Sequence, residues 1–129
     1  MPRLRSCLLT GGALWELLRY EVLIRTGGFS RVRRSLVKPV RGSLLAIHGS
    51  EAEVCQAMDW AQCLYWKPVL CLQRSVATAR LLRRQKLDAQ VVVGCRPEPF
   101  FSHAWVEIGG RVVNDSPLYK VRLPALLQF

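Results

Sequence analysis

The sequence has 129 residues, 50% of them hydrophobic, so it is long enough for one domain with a modest core and too apolar to be disordered. Nineteen Lys and Arg against nine Asp and Glu give a formal net charge of +10 at pH 7, which favours an anionic partner such as nucleic acid, a membrane surface or an acidic peptide. No apolar run approaches the roughly 18 residues of a membrane-spanning helix.

The five cysteines, at positions 7, 55, 63, 71 and 95, are odd in number and contain no C-x-x-C pair. This pattern argues against a disulfide framework and a zinc module, and it favours a reducing compartment. No small-residue cleavage site follows the N-terminal apolar stretch, so we expect a cytoplasmic protein without a signal peptide. Apart from Cys71, the cysteines are predicted to be small buried hydrophobic residues.

Residues 1–66 are predicted to be mainly helical. Leucines recur at helical spacing over Thr10–Ile24, and Gly27-Gly28 is expected to end that helix as a C-cap. A short basic helix or turn is expected at 31–37, where Pro39 stops it.

The segment before the second helix fits two structures, because residues 44–47 suit either a strand or a buried turn. His48 lies in the same apolar run without a partner motif, and we expect it to be structural. Ser50, with Glu53 three residues later, forms a capping box that predicts a helix from Glu51 to about Trp66.

The second half, residues 67–129, begins with a helix that Pro68 precedes and Cys71 opens. The 3.6-residue period gives this helix an apolar side and an opposite side whose arginines are expected in solvent. The apolar side comprises Leu72, Ser75, Val76, Ala79 and Leu82; the opposite side comprises Gln73, Ala77, Arg80 and Arg84.

Beyond Lys86 the apolar pattern changes to the two-residue period of strands. Three strands are predicted, at Ala89–Gly94, Phe101–Ile108 and Arg111–Val113, and Val121–Phe129 is expected to cover the sheet as a strand or short helix. Helices first and antiparallel strands afterwards predict a single α+β domain over residues 1–129, with a helical part at 1–66 and a catalytic core at 67–129.

Cys71, His103 and Asp115 supply the side chains of a thiol nucleophile: a thiolate that attacks, an imidazole that carries the proton and a carboxylate that orients the imidazole. Cys71 opens a helix, where free backbone N–H groups favour a thiolate and can receive an oxyanion. A hairpin turn at Gly109-Gly110 places His103 and Asp115 at the same open end of strands about 4.8 Å apart. We therefore expect a cysteine peptidase that needs no metal or cofactor.

Five further residues are candidates for substrate contacts or for the oxyanion site: Leu72, Arg74, Ser75, Trp105 and Asn114. Arg74 either holds a carboxylate of the substrate or protein, or is a solvated helix arginine. Asn114 either braces the base or continues the turn. Neither Gln62 nor Gln73 has a spacing that supports a role as an oxyanion donor.

Four motifs over roughly residues 66–119 resemble the transglutaminase-like peptidases of lasso-peptide biosynthesis: C-L-x-R-S, L-L-R-R, V-x-G-x-R-x-x-P-F-x-S-H-A-W-V-E and V-V-N-D. The resemblance implies a transglutaminase-like, papain-like core in which Cys71 is the nucleophile, His103 the general base and Asp115 the orienting acid. It also implies removal of the leader from a ribosomally made precursor, before a cyclase closes the macrolactam. In the split form of that system, a separate leader-recognition protein is the partner.

Two other functions fit the same residues. An amine acceptor in place of water would make the protein an acyl transferase, and a buried, unreactive Cys71 would leave a non-enzymatic basic binding module. Nucleic acid lacks support as a partner, because there is no aromatic ladder, zinc module or helix-turn-helix. A phosphate-binding loop is also missing from the sequence.

Overall fold

The computed structural model describes residues 2–37 and 49–129, which form four helices and four strands. The elements are α1 Pro2–Val37, α2 Glu51–Leu64, α3 Cys71–Arg84, β1 Ala89–Pro97, β2 Phe100–Ile108, β3 Arg111–Val112, α4 Leu118–Arg122 and β4 Ala125–Gln128. The strands form one antiparallel sheet in the order β3-β2-β1-β4. The predicted α+β class is confirmed, while the predictions for Pro39, residues 44–47 and His48 lie outside the described residues.

α1 begins earlier than the sequence predicts, at Pro2 rather than Thr10, and spans Pro2–Val37 with a break in helical geometry at Gly28. Gly28 has φ 66° and ψ −164°, a conformation that is open to glycine and strained for other residues. α1 is therefore two helical segments that meet at a kink. The first segment ends at the predicted glycine pair, and the predicted helix at 31–37 lies in the second segment. No helix in the described residues is both long enough and apolar enough to cross a bilayer.

The capping box at the start of α2 is confirmed. The Glu53 N–H donates to Ser50 Oγ at 3.2 Å, and the Ser50 N–H donates to Glu53 Oε1 at 3.4 Å. The core face of α2 follows one stripe at helical spacing, made of Val54, Ala57, Met58 and Ala61. Cys63 and Leu64 lie off that stripe and are exposed, so the prediction of a buried Cys63 is wrong.

The cysteines as a group are less buried than the sequence predicts. Cys7 is exposed like Cys63, while Cys55 and Cys95 are half-buried. Cys7 faces an open groove rather than the core, which the spacing of a single residue in a leucine-rich helix cannot reveal.

α3 is the central element, since it packs against α1, α2, β1 and β2. Both of its sides are buried, so the expectation of a solvated arginine face is wrong. Arg80 is 5% exposed and its Nε donates to Glu16 Oε2 at 2.7 Å, while Arg84 Nη2 lies 2.5 Å from Glu16 Oε1. Glu16 itself is 1% exposed, and the ion pairs explain why Glu16 and Arg80 can be buried, with Arg84 half-buried beside them.

Two hydrophobic clusters lie on opposite faces of the sheet. The larger joins the three long helices to Val91 and Val106, and the smaller joins Val92, Trp105 and Leu123 beside α4. The predicted segment at 121–129 is thus divided between the end of α4 and β4, which pairs with β1.

Candidate active site

His103 on β2 and Asp115 in the loop after β3 form the core of the candidate site. His103 Nε2 lies 2.7 Å from Asp115 Oδ2, and the two side chains are 17% and 21% exposed. The second oxygen of Asp115, Oδ1, accepts the N–H of Ser116 at 2.8 Å. An ionised carboxylate only accepts hydrogen bonds, so Nε2 carries the ring hydrogen and Nδ1 keeps the lone pair that can take a proton.

The hairpin between β2 and β3 brings these two residues together. Gly109 and Gly110 both have positive φ, 58° and 79°, which is the backbone of a two-residue hairpin turn. The register pairs Glu107 with Val112. Beyond β3 the pairing continues, because the Val113 N–H donates to the Val106 carbonyl at 3.0 Å, and Asp115 follows two residues later.

Asn114 continues the edge of the sheet with its side chain. The Val106 N–H donates to Asn114 Oδ1 at 2.8 Å, in a buried contact that replaces a backbone bond of the β2–β3 ladder. The sequence allows two interpretations of Asn114, which either braces the base or continues the turn. The structure shows neither a direct contact with the imidazole nor a simple turn. The residue anchors the loop from which Asp115 reaches His103.

Aromatic rings from α4 and from β2 itself lie around the imidazole. The ring of Tyr119 on α4 lies 4.0 Å from that of His103, and Trp105 lies 6.4 Å away. Trp105 is 1% exposed and its indole N–H donates to Glu107 Oε1 at 2.9 Å, so this donor is already occupied. Tyr119 carries no motif that the sequence could have revealed, because its contact depends on how α4 folds back over the sheet.

Cys71 is the first residue of α3 and is half-buried. Leu70 precedes it as N-cap without a side-chain hydrogen bond, so the first-turn N–H groups have no cap of that kind. Burial, and then the charge of Cys71, raise the pKa of Tyr20 on α1 above its usual value of 10.0. Tyr20 therefore keeps its phenolic hydrogen at neutral pH, and no sequence pattern links positions 20 and 71.

Arg74 connects the first turn of α3 to the loop of Asp115. Its Nη2 donates to the Asn114 carbonyl at 3.0 Å and to Asp59 Oδ1 on α2 at 3.2 Å. In the structure, Arg74 therefore binds a carboxylate of the protein itself, which is one of the interpretations that the sequence allows. One guanidinium thus joins α2, α3 and the segment that follows β3.

The start of α3 and His103 lie at the same end of the domain. Arg83 Nε, near the end of α3, donates to the carbonyl of Ala89 at 2.8 Å, at the start of β1. The 14 residues of α3 span about 21 Å, and β1 covers about that length by Gly94 or Cys95. Gly94 pairs with His103, so from these lengths we expect the first turn of α3 to lie level with the imidazole. Within 2–37 and 49–129, no hydrogen bond joins the Cys71 thiol to His103.

The remaining candidates lie inside the first two turns of α3. Leu72 packs at the edge of the larger cluster, and Ser75 is fully buried with no hydrogen-bond partner for Oγ among the described residues. Gln73 Nε2 donates to the Leu17 carbonyl at 3.0 Å and so is fixed to α1. In the part of the chain that the structure describes, no three His, Cys, Asp or Glu side chains are grouped to bind a metal ion.

Comparison with known proteins places this geometry in context. The model of the transglutaminase-like superfamily matches residues 14–127. The microcin J25-processing protein McjB of Escherichia coli is 43% identical over 58 residues, which cover 45% of this chain and 28% of that protein. No solved structure matches.

Proposed function

Because the chain belongs to the transglutaminase-like superfamily, we propose that it is a cysteine peptidase that cleaves one peptide bond in a ribosomally made lasso-peptide precursor. The observation that carries the proposal is the 2.7 Å contact between His103 Nε2 and Asp115 Oδ2, at the end of the domain where α3 begins with Cys71. The similarity to a microcin-processing protein supports a peptide as the substrate.

In the proposed reaction, His103 Nδ1 takes the proton of the Cys71 thiol and the thiolate attacks the scissile carbonyl. The oxyanion accepts hydrogen bonds from free N–H groups in the first turn of α3. The imidazolium then protonates the departing amine of the core peptide, and the leader remains as a thioester on Cys71. Water, deprotonated by His103, hydrolyses that thioester and restores the thiol.

Asp115 and Arg74 have positioning roles in this scheme. Asp115 fixes the tautomer that leaves Nδ1 basic, and its charge stabilises the imidazolium. Arg74 holds the Asn114 carbonyl, so it keeps the loop of Asp115 registered against the helix that presents the nucleophile.

The products suggest the surroundings in which the peptidase works. Hydrolysis releases the free amine of the core, which is the group that a macrolactam-forming cyclase must acylate. The resemblance to the split lasso system supports a separate leader-recognition protein as the partner that presents the precursor. The thiol-rich composition supports the cytoplasm as the compartment.

Mass spectrometry of a lasso-type precursor, incubated with a leader-recognition protein and the peptidase, tests the proposal. We expect the wild type and the matched control Cys63→Ala to release leader and core, because Cys63 is exposed at the end of α2. Cys71→Ala should leave the precursor intact. Cleavage by Cys71→Ala at the wild-type rate would rule out the proposed nucleophile.

Acyl transfer is the second candidate function, and membership in the transglutaminase-like superfamily supports it. The same spectra separate the two reactions, since hydrolysis adds one water across the two fragments. A product joined to an added primary amine, formed in place of the free leader acid, would assign transfer to the same thiol.

A further inference from the structure

The outer face of α1 carries an apolar stripe that its own domain does not cover. The stripe, called the α1 seam here, consists of Leu4, Leu8, Gly11, Trp15, Leu18 and Val22. Its five large side chains are 44–61% exposed. On the opposite face of the same helix, Leu9, Ala13 and Leu17 are at most 4% exposed and supply the core. The helix thus has two apolar faces, one of them in solvent.

The spacing of the seam is that of a coiled-coil interface. Its members follow one another at intervals of four, three, four, three and four residues, the alternation of four and three that defines a heptad pattern. A helix needs this heptad spacing when its side chains interlock with those of another helix along a shared axis. Scattered exposed apolar residues would have no reason to keep such a period over six positions. The seam is therefore organised for a helical partner.

A groove beside the seam extends the same apolar surface onto α2. The groove has a volume of about 400 Å³ and is lined by Ser6, Cys7, Thr10, Gly11, Leu14, Trp60 and Leu64. Trp60 and Leu64 are 58% and 65% exposed. Side chains of a docked helix can fill a concave groove of this kind, whereas a flat lipid surface cannot.

The charges of α1 define the partner further. Glu16 and Glu21, the acidic residues between positions 2 and 27, are buried and paired with Arg80, Arg84 and Lys67. The charged side chains that α1 exposes over this range, at Arg3, Arg5 and Arg25, are all positive. Arg5 is paired with Glu53 of α2, but Glu21 is shared between Arg25 and Lys67, so the surface keeps a net positive charge at Arg3 and beside Arg25. A second copy of the chain would set arginine against arginine across the seam. An acidic helix would find complementary charge.

We propose that the α1 seam binds a helix of another protein, one with apolar residues at heptad spacing and Asp or Glu on either side of them. Leu8, Trp15 and Leu18 lie in the middle of the seam, and Gly11 between them allows a close approach. The groove toward α2 receives the side chains at one edge of the incoming helix. The proposal does not rest on the peptidase activity.

A synthetic probe tests the site without knowledge of the natural partner. The probe is a fluorescein-labelled peptide of four heptads. It has Leu at the two apolar positions of each heptad and Glu at the positions on either side of them. Fluorescence anisotropy should show saturable binding, which Leu8→Glu or Trp15→Glu weakens at least about tenfold, as is typical of a central hydrophobic anchor. The matched control Val121→Glu, at an 82% exposed position on α4, should bind like the wild type.

Further experiments test the other possible partners of the α1 seam. A peptide of the same composition with its leucines scrambled should bind at least about tenfold more weakly; equal binding would reduce the effect to net charge and overturn the proposal. Seam-dependent dimerisation in analytical ultracentrifugation, or seam-dependent binding to anionic vesicles without peptide binding, would also overturn it. Leu18→Gln is the second variant if circular dichroism shows that a glutamate substitution unfolds the chain.

Discussion

His103 uses one ring nitrogen to bind Asp115, and this single contact determines which nitrogen can act as a base. The carboxylate is shared, since its second oxygen is held by the Ser116 N–H. The neighbouring rings of Tyr119 and Trp105 restrict the imidazole further. The proposed chemistry therefore depends on one carboxylate more than on any other neighbour of the base.

Asp115→Asn is the substitution that isolates this contact. An amide carries no charge to stabilise the imidazolium and can also donate a hydrogen, which favours the wrong tautomer. We expect precursor cleavage to slow by about 10²-fold or more, with thermal unfolding close to that of the wild type. Asp88→Asn, at an exposed position, is the matched control and should cleave normally. Undiminished turnover by Asp115→Asn would remove Asp115 from the mechanism.

Cys55 offers a second test at the residue scale. Burial, reinforced by the carboxylates of Glu51 and Asp59, raises the pKa of its thiol from 9.0 to about 11. A rise of two units lowers the thiolate fraction roughly 100-fold at a given pH, so alkylation by iodoacetamide should be slow near neutrality. We expect the alkylation rate of Cys55, measured by peptide mass spectrometry, to keep rising about tenfold per pH unit up to pH 10. A plateau below pH 9 would contradict the assignment.

The exposure of Cys7 and Cys63 changes how a reactive Cys71 should be recognised. If those two thiols were buried, as the sequence predicts, fast labelling alone would identify the nucleophile. Because they are accessible, the pH profile of each thiol is the better criterion. If the labelling rate of Cys71 changes in the variant His103→Ala, the thiol and the imidazole act as a pair.

Among the elements, the kink of α1 shows where local sequence rules succeed and where they stop. The capping box at Ser50 and the glycine turn at 109–110 are local chemistry, so the start of α2 and the hairpin that joins His103 to Asp115 could be predicted. Gly27-Gly28 also ends a helical segment, as its local signature predicts. The second segment of α1 follows directly because Val32 and Leu36 pack in the core, and this depends on tertiary packing that local rules do not describe.

Gly28→Ala tests the kink. A Cβ at this position meets no neighbouring atom, so the cost is conformational strain at φ 66°, about 1–3 kcal/mol. Gly11→Ala is the matched control in the same helix, since its Cβ is also free but its backbone is helical. We expect that control to stabilise the chain by up to about 1 kcal/mol in urea denaturation. Equal effects of the two substitutions would mean that the kink is not enforced.

For the molecule as a whole, the decisive feature is that α3 lies inside and carries buried charge. The sequence could not predict this, because Glu16 and Arg80 are 64 residues apart and nothing local to either signals the other. Amphipathic spacing assigned the arginines to solvent, and that assignment fails when a helix packs on both sides. The same limit applies to Tyr20 and Tyr119, which reach the candidate site only through the packing of α1 and α4.

Glu16→Ala should reveal the weight of this pairing. It would leave Arg80 and Arg84 without their carboxylate in a buried position, and removal of one partner from such a group typically costs about 3–5 kcal/mol. Arg111→Gln breaks the exposed ion pair with Glu51 and is the matched control, for which we expect a far smaller shift of the urea midpoint. A similar midpoint for both variants would show that the buried group adds little.

The buried group of Glu16, Arg80 and Arg84 also has a consequence for inheritance. Substitution of the acid alone leaves two cations unpaired, and substitution of one cation alone leaves the acid with less neutralising charge. Each single substitution therefore destabilises the protein. A replacement of all three by apolar residues of similar volume restores a packed interior. Among descendants of a common ancestor, these three positions should therefore change together or remain as they are, although one lies in the first helix and two in the third.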